Sequence, residues 1–199
     1  MKSFVVIGLG LFGMRIARQL AQQGADVLAI DTDEKNIAQI ADHVTRAAVA
    51  DARSKHALLK LGVQDCDCAI VAIGTDLGTS VLVTMNLKAL AVPKVICKAY
   101  DEMHCEILKK LGADQVLIPE HVVADKLAST LTSPSILDVI ELSSEYGIIE
   151  RKTPAAWVGK SLKELNIRKA YNVSVIAMRE GDRVSVSPSP FPTAKRPSF

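Results

Sequence analysis

The sequence predicts a doubly wound α/β domain with a parallel sheet of the dinucleotide-binding type, followed by a small β-rich α+β lobe. Three observations carry this. Short apolar segments alternate with helix-period segments over the first 118 residues. Those apolar segments are nearly continuous rather than alternating, as burial on both sheet faces demands. A glycine-rich turn, Gly8-Leu-Gly10-Leu-Phe-Gly13, sits where the first strand becomes the first helix.

In order, residues 4–8 form an apolar run ending in glycine, and 12–23 carry apolar positions at helical spacing (Ile16, Leu20) up to Gly24. Strand and helix follow at 26–31 and 34–42, then a third strand at 44–50 and a helix at 53–61 stopped by Gly62. A fourth strand spans 68–73, and a longer helix at 77–91 ends before Pro93. Val95–Cys97 is the fifth strand, 102–111 a helix stopped by Gly112, and 115–118 the sixth strand. Beyond Pro119 the pattern changes to a helix at 120–131, a linker at Ser133-Pro134-Ser135, and strands at 138–143 and 147–152. Ser161-Leu-Lys-Glu164 reads as a capping box that opens a short helix. Val173–Met178 and Arg183–Ser187 flank a Glu-Gly-Asp turn and read as a hairpin. The expected organisation is a nucleotide-binding domain over 1–132, a regulatory lobe over 133–187, and a disordered tail over 188–199 that holds four of the eight prolines.

A formal net charge of +2, without any Lys/Arg stripe, argues against nucleic acid as partner. No apolar run approaches the roughly 18 residues of a membrane span. The chain enters a strand pattern at Phe4, which leaves no space for a signal peptide, so a cytosolic protein is expected. Cys66, Cys68, Cys97 and Cys105 include no Cys-x-x-Cys pair, and His43, His56, His104 and His121 lack metal-ligand spacing. Free thiols in a reducing compartment are the reading that follows.

The glycine turn divides its work. Gly8 permits the tight turn, Gly10 admits phosphate to the backbone amides, and Gly13 lets helix pack on strand. Phosphates then sit on the positive end of the helix. Asp31 ends the second strand 23 residues after Gly8 and is placed either to accept from ribose hydroxyls or to cap the next helix. Its charge disfavours a 2′-phosphate. Asp51 follows the third strand, where it meets an adenine edge or caps the helix at 53. Glu120, Lys98 and His104 fall on the carboxyl-end rim of the sheet, where a solvated surface role competes with a ligand role. There is no Walker lysine after the glycines, no nucleophile elbow, and no substrate domain of dehydrogenase size. A nucleotide held without reactive groups points to sensing rather than chemistry.

The ordered series Phe4-Val-Val-Ile-Gly-Leu-Gly-Leu-Phe-Gly13, Asp31-Thr-Asp33, Ala50-Asp51-Ala52, Ala72-Ile73-Gly74, Ile96-Cys-Lys98-Ala99, Leu111-Gly-Ala-Asp114 and Ile118-Pro119-Glu120 resembles the Ktr/Trk-type regulatory subunits of bacterial potassium uptake, the proteins of RCK domains. The resemblance runs from residue 3 to about 187, and the second lobe is similar to that family's C-terminal regulatory lobe. It implies a non-enzymatic, homo-octameric ring built from dimers, on the cytosolic face of a membrane-embedded channel, where ATP favours the conducting state and ADP the closed one. Carried over by position, the nucleotide contacts are Gly8, Gly10, Leu11, Phe12, Gly13, Asp31, Thr32, Asp33, Asp51, Ala52, Ile73, Gly74, Thr75, Lys98, Ala99, Tyr100, His104 and Glu120. Glu120 is also the implied ligand for Mg²⁺ or another cation at the phosphates, against a plain helix-capping role.

The chain departs from that pattern twice. Relatives carry arginine where Leu11 stands, and Arg15, one helical turn on, starts about 6 Å away. Losing a charge-assisted phosphate contact weakens γ-phosphate discrimination by about 1.5–3 kcal/mol, which raises NAD(H) as the ligand. Relatives also continue past the Ser-Pro-Ser-Pro segment where this chain ends at Phe199, so a shortened lobe is expected. Two functions compete with the gating subunit: a small NAD-dependent oxidoreductase, and a stand-alone nucleotide-binding module serving another partner.

Overall fold

The computed structural model describes residues 2–74, 76–132, 136–141, 146–186 and 188. The contact expected at Thr75, the linker expected at 133–135, and the tail expected beyond residue 188 lie outside them. The chain divides into two compact units, Met1–Val123 and Ala124–Phe199.

In the first unit, six strands form one parallel sheet: β1 Ser3–Ile7, β2 Asp26–Asp31, β3 Arg46–Val49, β4 Cys68–Val71, β5 Val95–Lys98 and β6 Gln115–Leu117. Their order is β3-β2-β1-β4-β5-β6, so the winding reverses between β1 and β4. That reversal opens a crevice outside the carboxyl ends of β1 and β4, where doubly wound sheets take their ligands.

Side chains of successive strand residues fall in separate cores on the two faces. Val5, Ile7, Leu28, Ile30, Ala69 and Val71 pack on one face, whereas Val6, Val27, Ala29, Cys68 and Ile70 pack on the other. This double burial is why the strand segments read as continuous apolar runs. The edges differ: Arg46 and Val49 of β3 and Gln115 of β6 are exposed.

The helices are α1 Leu11–Gln22, α2 Glu34–Ile40, α3 Lys55–Lys60, α4 Leu77–Ala89, α5 Glu102–Lys110 and α6 Pro119–Thr132. Side chains cap four of them: Asp33 for α2, Ser54 for α3, Asp76 for α4 and Asp101 for α5. The helix expected over 34–42 ends in a 3₁₀ turn at Ala41–His43. The Leu111-to-Asp114 motif proves structural: the Asp114 carboxylate accepts from the Val95 amide at 2.7 Å and from Lys88 at 3.1 Å. All four cysteines are free and buried. Burial pushes the Cys97 thiol up to about 11, so it stays protonated and unreactive.

In the second unit, β7 Ile136–Glu141 pairs antiparallel with β8 Gly147–Arg151. Helices α7 Leu162–Leu165 and α8 Ile167–Tyr171 follow, and β9 Ala177–Glu180 pairs with β10 Arg183–Val186. The capping box forms as expected: Ser161 and Glu164 satisfy each other's backbone amides. Among the described residues, no helix is long and apolar enough to cross a membrane.

Candidate functional site

The glycine turn crosses the crevice between β1 and β4. Gly8 holds φ +89°, a left-handed conformation that side chains resist, and its amide donates to the Ile30 carbonyl at 2.9 Å. Gly13 lies so close to the turn that a Cβ there would fall on the Gly8 carbonyl and come within 3.0 Å of Ala72 Cβ. Gly10 is different: it is the N-cap of α1, in extended backbone, and a Cβ built on it meets nothing within 4 Å. Open space therefore lies in front of the helix end.

That end is prepared for an anion. α1 has no capping side chain and no acidic residue in its first turn, whereas α2 to α5 are all capped by oxygen-bearing side chains. The first amides of a helix need acceptors, and the macrodipole puts a partial positive charge among them. Leu11 adds no charge and is 97% exposed.

Asp31 is not a helix cap; Asp33 has that role, accepting from the Lys35 amide at 2.8 Å. One Asp31 oxygen accepts from the Leu9 amide at 2.6 Å and the other from the Asp33 amide at 2.8 Å. The carboxylate thus ties the glycine turn to the β2–α2 loop, with Asn36 approaching at 3.4 Å. Thr32 and Asp33 are exposed beside it.

Asp51 is not a helix cap either, because Ser54 caps α3. It grips the Arg53 guanidinium, with Nη2 at 2.8 Å, and those bonds hold its carboxyl below the usual range. Ala52 next to it is buried.

At the end of β5, Lys98 turns toward the glycine turn. Its ammonium lies 5.9 Å from the centre of the Phe12 ring, and its stem runs past Gly74, where a Cβ would come 3.1 Å from Cε. Ile73 and Gly74 are half-buried beside it, and Ala99 is buried. Glu120, expected as a bare carboxylate facing phosphates, is instead paired: it accepts from Lys98 Nζ at 2.7 Å. That bond holds the Glu120 carboxyl below its ordinary value. Among the described residues, no group of three or more His, Cys, Asp or Glu side chains gathers to hold a metal.

His104 also differs from expectation. It is fully buried rather than on the rim, with Nε2 3.1 Å from Ser80 Oγ and its ring 4.9 Å from that of Tyr100, which is itself 44% exposed. The helical spacing of His104, Cys105 and Leu108 puts all three on the buried face of α5. Burial pushes the imidazole below its ordinary value of 6.5, against the opposing pull of Asp101. A folded-state value below the unfolded one means that the unfolded chain protonates first as pH falls. His104 therefore contributes stability above about pH 6.5 that is lost below it. Thermal midpoints at about pH 7.5 and about pH 5 should separate more in wild type than in His104→Gln, which keeps a partner for Ser80 but cannot titrate; equal separations would contradict this role.

The strand order, the glycine turn at the switch point and the uncapped helix together define a nucleotide-binding domain of the Rossmann type. Residues 4–119 match the family model of the TrkA-N domain, and the chain belongs to that family, among the Ktr/Trk-type regulatory proteins. It is 36% identical over 189 residues to the Ktr system potassium uptake protein A of Bacillus subtilis, covering 95% of this chain and 85% of that one. The fold is also similar to the GsuK channel bound to NAD (TM-score 0.60, 23% identity, 98% of this chain and 35% of that one). A second likeness is to GsuK bound to ADP (TM-score 0.59, 14% identity, 66% of this chain and 35% of that one).

Sequence reasoning missed Arg53 as the partner of Asp51, Asn36 beside Asp31, and Ser80 beneath His104. Only the first left a signal, an acid and a base two residues apart at a strand end.

Proposed function

We propose that the chain is a nucleotide-sensing regulatory subunit of a potassium uptake channel or transporter, with an adenine nucleotide held at the carboxyl end of β1. One observation carries the nucleotide part: α1 alone among the first five helices begins without a cap, at the switch point, behind a glycine with open space before it. Phosphate supplies the acceptors that its first amides need. The potassium part rests on the relatives, of which the Bacillus subtilis protein is named for potassium uptake.

In this reading the glycine turn takes the phosphates, Asp31 to Asp33 the ribose, and Asp51-Ala52 the adenine side. ATP and ADP are the first ligands to try, and NAD(H) is favoured as second by the uncharged, exposed Leu11. A divalent cation fits this chain's own donors poorly. Glu120 is one carboxylate already bonded to an ammonium, and hard cations take six or more oxygens.

The proposed site of action is the inner face of the membrane, as a regulator rather than an enzyme. The lobe proper begins at the end of α6 near residue 132, past the division of the compact units after Val123. Assembly into dimers and rings fits the exposed apolar residues Val122, Val123, Leu127 and Leu131 on α6. Calorimetric titration with ATP, ADP and NADH, with light scattering on each mixture, tests the whole. Saturable binding by an oligomer is expected. Absence of binding by all three, or a monomer in every mixture, would remove the corresponding part.

A further inference from the structure

We propose that Glu120 is a specificity-determining residue that acts by occupying Lys98, so that a nucleotide's terminal phosphates must displace it before they reach the lysine. The inference rests on the nucleotide reading above and adds how the site weighs phosphate charge.

The two partners are held unequally. The Lys98 side chain is 17% exposed, its stem passes close to Gly74, and its ammonium lies 5.9 Å from the centre of the Phe12 ring. The Glu120 side chain is 63% exposed and stands in the first turn of α6. The lysine therefore stays while the glutamate can leave.

Phe12 belongs to the uncapped first turn of α1, so the Lys98 ammonium stands beside the place where phosphates would rest. With Glu120 bonded at 2.7 Å, the ammonium's charge is matched by the carboxylate, and the pair as a whole carries almost no net charge. Neighbouring groups do not replace it. His121, next along α6, lies 3.4 Å from Glu102, and Leu11 is neutral. The ammonium keeps two further N–H donors, but a phosphate using them would press against the Glu120 carboxylate. A di- or triphosphate therefore gains the lysine fully only by displacing the glutamate, and part of its binding energy is lost in the exchange. A ligand without phosphate breaks nothing.

The test is a double-mutant cycle on the full chain, titrated calorimetrically in EDTA with ADP and with adenosine. Glu120→Gln should raise ADP affinity about fivefold, the size of a strong exposed ion pair, and leave adenosine unchanged. In a Lys98→Met background the same Glu120→Gln change should gain twofold or less, because no lysine remains to be freed. Equal gains in both backgrounds would overturn the proposal and leave only simple repulsion between carboxylate and phosphate. A loss of ADP affinity in Glu120→Gln would overturn it too, since it would mean that Glu120 contacts the ligand. If adenosine and ADP both fail to bind wild type, the nucleotide reading falls, and this inference with it. Circular dichroism on each variant guards against unfolding.

Discussion

Gly13→Ala should destabilise the first unit by about 3 kcal/mol, enough to lower its thermal midpoint by several degrees or prevent folding. The reason is geometric. The added methyl would overlap the Gly8 carbonyl and press on Ala72 Cβ at 3.0 Å. Neither obstacle is a flexible side-chain end. Gly8 is pinned by its bond to Ile30 and by its φ of +89°, and the Ala72 amide is bound to the Ile7 carbonyl at 2.8 Å. The helix propensity that alanine adds, at most about 1 kcal/mol, is too small to offset the clash. The turn and α1 would have to separate, which opens the buried contacts of Leu9 and Ala17. Thermal or urea unfolding followed by circular dichroism reads the effect. A variant with wild-type stability would show that the helix does not pack on the turn this closely.

Much of the fold was legible because its causes are local. Continuous apolar strands, glycine stops after helices and the capping box at Ser161 each announce themselves within a few residues. The interval from Gly8 to Asp31 placed one acid at the end of β2, where the structure has it. What the sequence could not show were pairings made by tertiary contact. Lys98 and Glu120 are 22 residues apart on different elements, so each read as a lone charge on the rim. His104 looked exposed because its partner Ser80 lies a full βα unit earlier. The helix α8 was missed because it is only five residues long and is flanked by Asn166 and Asn172, both left-handed at φ 44° and 53°. Asparagine marks turns more often than it brackets a helix, so the segment carried no helix signal.

Gly10→Val should leave the fold intact and abolish nucleotide binding, a loss of about a hundredfold or more in affinity. The two consequences separate because Gly10 is unlike its neighbours in the turn. Its backbone is at φ −66° and ψ −170°, an extended conformation that valine adopts without strain. A Cβ there meets no atom within 4 Å, so the side chain starts out into open space rather than into the fold. Exchanging glycine for valine at an N-cap costs about 1 kcal/mol at most, within what a domain of this size tolerates. The open space is where a phosphate would approach the amides at the start of α1, and two methyl groups would fill it. Lys98 and Asp31 are untouched by the change, so any residual affinity would measure what they contribute alone. Titration with ATP, ADP and NADH, beside a thermal melt of the same sample, decides the matter. A folded variant that binds any of them with full affinity would show that phosphate does not rest on the end of α1, and the site would have to be sought elsewhere on the sheet.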